Sequence, residues 1–248
     1  MNYIEYGKEN NNVIILLHGG GLSWWNYREV AEKLSSDYHI ILPILDGHAN
    51  SSSDFVSIED NAAKIIDFID KQFGGSVLMI GGLSLGAQVA LEILSQKKDI
   101  CKFALIESAL VLPSKFTYAM IKPVFGSCYG LIKHKWFSKL QFKSLRIKPN
   151  LFEDYFRDTC GISKSNMIAF LEANALYGIK PSIADCSAKS YIFVGEKENR
   201  AMQKSAKIIH KKLQGSLLQI LPKMYHGEFS INYSEDYVNQ ILNIVSER

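Results

Sequence analysis

The sequence predicts an α/β fold: a mostly parallel sheet of about seven strands covered by helices, with a helical cap inserted after one of them. Three observations carry this reading. Short apolar runs, VIILL at 13–17, HIILP at 39–43, SVLMI at 76–80 and KFALI at 102–106, are of the kind buried on both faces of a parallel sheet. The segments between them are long enough for the helical crossovers that parallel neighbours require. The alternation stops near residue 109 and resumes only near residue 188.

Taken in order, NYIEYG supplies one strand ahead of VIILL. After HIILP, residues Ile58, Ala62, Ile65, Ile66 and Ile69 recur at helical spacing, with Glu59, Asp60, Lys64 and Asp67 on the other side. Val89, Ala90, Ile93 and Leu94 repeat that pattern after SVLMI. SYIFVG at 190–195, a helix through Met202, Ala206, Ile209 and Leu213, the strand SLLQIL at 216–221 and a helix from about Tyr233 complete a core of residues 1–108 and 188–248. Residues 109–187 hold no clear buried strand but many aromatic side chains. A structureless loop of that length is improbable in a compact protein, so the segment is expected to be a helical cap packed over the sheet.

Composition narrows the possible functions. The chain has 248 residues, 47% hydrophobic and 21% charged, a globular balance without a disordered block. A net charge of +3 is too small to make nucleic acid the default partner. No apolar run approaches the roughly 20 residues of a transmembrane segment. The opening MNYIEYGKEN has neither the basic nor the apolar region of a secretory signal. Cys101, Cys128, Cys160 and Cys186 are scattered with no CxxC spacing, which argues against a zinc site and a disulfide framework. A cytoplasmic location and no metal site are therefore expected.

The chemistry concentrates at strand ends. Gly82-Leu83-Ser84-Leu85-Gly86 is a GxSxG pattern between a buried strand and a helix. A sharp strand-to-helix turn needs glycines there, because a β-carbon would clash with the crowded backbone. The turn lifts the serine oxygen clear of the sheet, near a helix N-terminus that favours negative charge. His18-Gly19-Gly20-Gly21 follows VIILL directly; exposed N–H groups of Gly20 or Gly21 could join that of Leu85 as an oxyanion hole. Taken alone, the same glycines would serve equally as a flexible turn.

A serine nucleophile needs a base and an acid. Among six histidines, His226 in PKMYHGEFS follows the last strand, at the same edge of the sheet as Ser84. His48, in Asp46-Gly47-His48, reads as a turn residue. For the acid, FVGEKENR at 193–200 offers Glu196 and Glu198, and Glu107 after KFALI is a third candidate.

In this order the pieces resemble the α/β-hydrolase fold family across essentially the whole chain. HGGGLSWWNY is similar to the family's oxyanion loop, ILPILDGHANS to a strand and loop that often reads D-x-x-G-H-G-x-S, and GGLSLGAQVA to its nucleophile elbow. FVGEKEN is similar to the segment commonly reading G-x-x-D, and MYHGEF to the histidine loop. The resemblance places the acid at Glu198, where most relatives carry Asp, and leaves Glu107 as its rival. It implies a serine hydrolase cleaving a carboxylic ester or thioester through an acyl-enzyme, with Ser84, Glu198 and His226 as the triad and no cofactor. Alternatives are a C–C bond hydrolase or lyase using the same triad, and a non-catalytic ligand receptor on this fold.

The cap has a charge of its own. In residues 109–187 basic residues outnumber acidic ones by more than two to one. Lys135, Lys139 and Lys143 form one helical stripe, and Ile132, Trp136 and Leu140 a parallel apolar one. The plain reading is an ordinary cap helix with its lysines in water; the sharper one is contact with something acidic, a substrate carboxylate or phosphate or an anionic lipid surface.

Overall fold

The computed structural model describes residues 1–246. Seven strands form one sheet: β1 (Tyr3–Tyr6), β2 (Val13–Leu17), β3 (His39–Pro43), β4 (Val77–Leu83), β5 (Cys101–Glu107), β6 (Lys189–Gly195) and β7 (Leu217–Leu221). Their order is β1-β3-β2-β4-β5-β6-β7, with β1 antiparallel to β3 and every other pairing parallel. Strand and helix alternate as the sequence predicts, and the short N-terminal segment supplies β1.

Period-two patterning divides the strand side chains between the two faces. On one face Ile15, Leu17, Ile80, Ile106 and Val194 pack beneath α2 (Ile58–Phe73), α3 (Leu85–Gln96) and α8 (Arg200–Lys212). On the other, Ile14, Leu16, Met79, Phe103 and Phe193 pack against α1 (Arg28–Leu34) and α10 (Ser234–Ser246). Helix α2 starts where Ser57 Oγ accepts the Asp60 N–H (3.0 Å) and stops at Gly74, whose φ of 66° lets the chain turn left-handed. Strand β7 lies at the sheet edge, and Leu217 and Ile220 face solvent.

Between β5 and β6 the chain is helical: α4 (Lys115–Cys128), α5 (Lys135–Leu145), α6 (Phe152–Gly161) and α7 (Lys164–Leu176). These helices are pinned to the core by polar bonds. Trp25 Nε1–H donates to Asp158 (2.9 Å), Arg28 pairs with Asp154 (3.0 Å), and Asn174 donates to Gln88 (2.9 Å). The segment's last stretch inserts Tyr177 and Ile183 into the core beside α3. The apolar stripe expected through Ile132, Trp136 and Leu140 divides: Ile132 is buried in a turn before α5, whereas Trp136 and Leu140 are 64% and 63% exposed. The reason is that α5 packs through its opposite side, where Phe142 meets Phe152 (5.4 Å between rings) and Tyr155 (5.2 Å). Among the described residues no helix is long and apolar enough to cross a membrane.

Candidate active site

Strand β4 leads into α3 through Ser84, whose φ of 54° and ψ of −112° lie outside the usual regions for a residue with a side chain. The strain is held by backbone. Ser84 N–H donates to the Glu107 carbonyl (2.9 Å) on the neighbouring strand, and Ser84 O accepts from Gln88 N–H (3.0 Å) in the first turn of α3. A β-carbon at Gly82 would overlap the Gly86 carbonyl, and one at Gly86 the Leu17 carbonyl, so both glycines are sterically required. Ser84 Oγ makes no hydrogen bond among the described residues and faces a cavity of about 200 Å³.

The glycine loop after β2 is fixed by two buried histidines. Leu45 N–H donates to His18 Nε2 (3.1 Å), which leaves the proton on Nδ1, directed at the Gly19 carbonyl (2.9 Å). Gly21 N–H donates to His48 Nε2 (3.0 Å), and His48 stacks on Phe170 with 4.6 Å between rings. Burial, together with His48, pushes His18 down to about 3; burial pushes His48 down to about 4. Both rings are therefore neutral acceptors at neutral pH.

This arrangement corrects the expectation for Gly21. Its N–H is taken up by His48, and that of Gly19 by Asn26 Oδ1 (3.3 Å). The N–H groups of Gly20 and Leu85 have no acceptor among the described residues. They belong to adjacent residues: a β-carbon on Gly20 would sit 3.5 Å from Leu85 Cβ. His48 does stand in a turn, as the sequence predicts, but it also holds the glycine loop, which local sequence does not reveal.

The acid candidates separate by geometry. Glu198 Oε2 lies 2.7 Å from His226 Nδ1, while Glu198 Oε1 accepts from Ser108 Oγ–H (2.7 Å) and from the Gly195 N–H (2.7 Å). Its side chain is 1% exposed. Burial alone would raise this carboxyl, but the bonds from His226, Ser108 and Gly195 outweigh it and hold the group below its ordinary value. Glu196 accepts from Lys223 N–H (2.7 Å) at the surface. Glu107 is buried, accepts from Ser230 N–H (3.3 Å) and is pushed up to about 7 by burial. Neither Glu196 nor Glu107 bonds to His226. Ser108 escapes sequence reasoning altogether; its φ of 54° directly after β5 is the backbone feature that aims it at Glu198.

Ser84 and His226 each line two spaces. The first is walled by apolar side chains including Leu22, Phe125, Leu145, Ile147, Met167 and Phe170. The second is larger, about 390 Å³, and more polar than the first, bounded by Glu198, Asn174, Tyr225 and Arg146. Arg146 closes α5 at a φ of 57°, its guanidinium stacks 3.7 Å from the Tyr225 ring centre, and it pairs with no carboxylate among the described residues. No group of three or more His, Cys, Asp or Glu side chains is placed to share a metal ion among the described residues.

Residues 14–238 match the model of the Alpha/beta hydrolase family. The chain belongs to that family. Among solved structures it is similar to an esterase from Thermogutta terrifontis, at 15% identity and a TM-score of 0.79 over 98% of this chain and 93% of that one. It is also similar to MenH from S. aureus (18% identity, TM-score 0.79, covering 99% and 97%) and to an enol-lactonase from Burkholderia xenovorans (12%, 0.80, 99% and 96%). At such identities the likeness establishes the fold of this family member. No curated protein matches the sequence at a significant level.

Proposed function

We propose that the protein is a serine hydrolase acting on a carboxylic ester or thioester, with Ser84, His226 and Glu198 as its triad. The observation that carries this reading is the 2.7 Å bond that His226 Nδ1–H donates to Glu198 Oε2, which leaves the far ring nitrogen for a serine lining the same cavity. Ser84 Oγ attacks the carbonyl carbon as His226 Nε2 takes its proton. The oxygen that becomes negative is received by the N–H groups of Gly20 and Leu85, near the positive end of the α3 dipole. Collapse expels the alcohol or thiol, which leaves with the proton from His226. Water then attacks the acyl-enzyme, gives its proton to His226, and the acid departs as Ser84 regains a proton. Glu198 holds the imidazole in the tautomer that each step needs. The apolar space suits an acyl chain, and the second, more polar one the leaving group. A burst of product from an activated ester, with mass spectrometry locating the acyl group on Ser84, tests the reading; an acyl adduct on another residue would overturn it.

A second reading, a C–C bond hydrolase or lyase with the same triad, is favoured by one observation: the unpaired Arg146 beside His226 could grip a substrate carboxylate. Turnover of a carboxylate-bearing β-diketone that Arg146→Ala abolishes, with neutral esters not turned over at all, would select it.

A further inference from the structure

Helices α4 and α5 have two different faces. Inward, Phe125, Gln141 and Leu145 line the cavity that holds Ser84. Outward, α4 presents Phe116, Met120 and Val124 at four-residue spacing, Phe116 at 79% exposure, and α5 presents Trp136 and Leu140. Phe116, Trp136 and Leu140 are more than half exposed, Met120 and Val124 somewhat less than half. Large exposed apolar side chains at helical spacing are more than the scattered singles normal on a protein surface.

The charge beside them is of one sign. Every charged residue from Lys115 through Lys148 is basic. Lys122, Lys135 and Lys148 are paired to Glu172, Glu153 and Glu29, but Lys115, Lys133, Lys139 and Lys143 have no carboxylate partner among the described residues. The Lys139 ammonium lies 5.7 Å from the Phe152 ring centre and that of Lys133 5.7 Å from the Tyr129 ring centre, so both charges stand beside aromatic faces at the edge of this surface. All of these charges except Arg146 are lysines. Protein interfaces are depleted in lysine and enriched in arginine, which speaks against a folded protein partner. Aromatic and aliphatic side chains flanked by flexible ammonium groups suit a bilayer, which demands no matching shape.

We propose that the outer face of α4 and α5 docks on an anionic bilayer. Phe116, Trp136 and Leu140 enter the headgroup region while Lys133, Lys139 and Lys143 meet lipid phosphates. Docking places the wall of the substrate cavity against the membrane, which suits an amphiphilic acyl substrate; that last consequence alone rests on the ester reading above.

The test uses the full-length chain carrying Ser84→Ala, so that vesicles survive and binding is read apart from catalysis. Flotation with phosphatidylglycerol/phosphatidylcholine vesicles is the expected result, with little binding to phosphatidylcholine alone. Trp136 should report it directly: vesicles shift the tryptophan emission to the blue, and Trp136→Phe removes the shift although Trp24 and Trp25 remain. Lys133→Gln, Lys139→Gln and Lys143→Gln should each weaken binding about five-fold, with added salt acting in the same direction. Absence of flotation, equal binding to both vesicle types, or a blue shift that persists in Trp136→Phe would each overturn the proposal. Self-association relieved by Trp136→Glu, without vesicle binding, would assign the face to a second copy of the chain instead. Failure of the ester reading would appear elsewhere, as lack of acylation at Ser84 in the unsubstituted protein.

Discussion

Ser84 and His226 meet over one cavity but come from opposite kinds of structure. Ser84 caps the central strand β4, with strands on both sides, helices on both faces, and glycines whose replacement would collide with backbone. His226 sits in a loop after the edge strand β7, and its side chain is 46% exposed. Ser84 is held by main chain, His226 by a side chain: Glu198 grips the imidazole, and the Ser108 hydroxyl and the Gly195 N–H in turn grip Glu198. Substitutions at the first should therefore be all-or-none, and at the second graded along a chain of bonds.

The largest effect is expected at the main-chain side. Ser84→Ala keeps a small residue at the elbow, so the fold should persist while ester turnover and fluorophosphonate labelling vanish. Labelling that survives would put the nucleophile elsewhere. Next comes the side-chain relay. Glu198→Gln keeps the shape but loses the charge that fixes the tautomer, a change costing on the order of 1,000-fold or more in kcat in comparable triads. Glu196→Gln and Glu107→Gln should lose far less. A greater loss in Glu107→Gln would move the acid to the end of β5 and sink the assignment of Glu198.

The same contrast explains what could be read in the sequence. The elbow is legible because its geometry is a backbone requirement: GxSxG after SVLMI leaves few alternatives, and the five inner strands of the sheet follow from buried runs whose period and spacing are local properties. The relay is not local. Residue chemistry leaves Glu107, Glu196 and Glu198 open, and only the packing of β5 beside β6 brings Ser108 to Glu198. His48 lies 27 residues from Gly21 in sequence, so no motif announces that it takes the Gly21 N–H. Exposure of Trp136 is equally unreadable, because periodicity gives a helix two faces without saying which one finds a partner.

Glu107 offers a sharper test of the boundary between the two regions, since it ends β5 beside both. Burial raises its carboxyl from 4.5 to about 7, so the folded state binds its proton more tightly than the unfolded state does. Its contribution is then fully present below pH 4.5 and is lost as pH rises through about 7, a swing on the order of 3 kcal/mol. Glu107→Gln removes the titration and keeps an acceptor for Ser230 N–H. Denaturant midpoints at pH 5 and pH 8 should show the variant gaining on the wild type at the higher pH. A constant difference between the two proteins would mean that Glu107 does not titrate in that window.

The smallest effect is expected at His48, which touches no reacting atom and acts only by holding the glycine loop. His48→Ala leaves the Gly21 N–H without its acceptor, a loss of about 1–3 kcal/mol, and removes the stack on Phe170. A freed loop no longer holds the Gly20 N–H beside Leu85. The expected signature is a fall in kcat with KM little changed, because the donor matters when charge develops on the oxygen and not when substrate binds. Outright removal of an oxyanion donor costs about 100- to 1,000-fold, so a donor that is present but loosened should cost less, roughly 10-fold. His48→Gln restores an acceptor within reach of Gly21 and should recover part of the rate. If KM rises while kcat holds, the loop shapes the pocket for substrate and the oxyanion role of Gly20 falls with it.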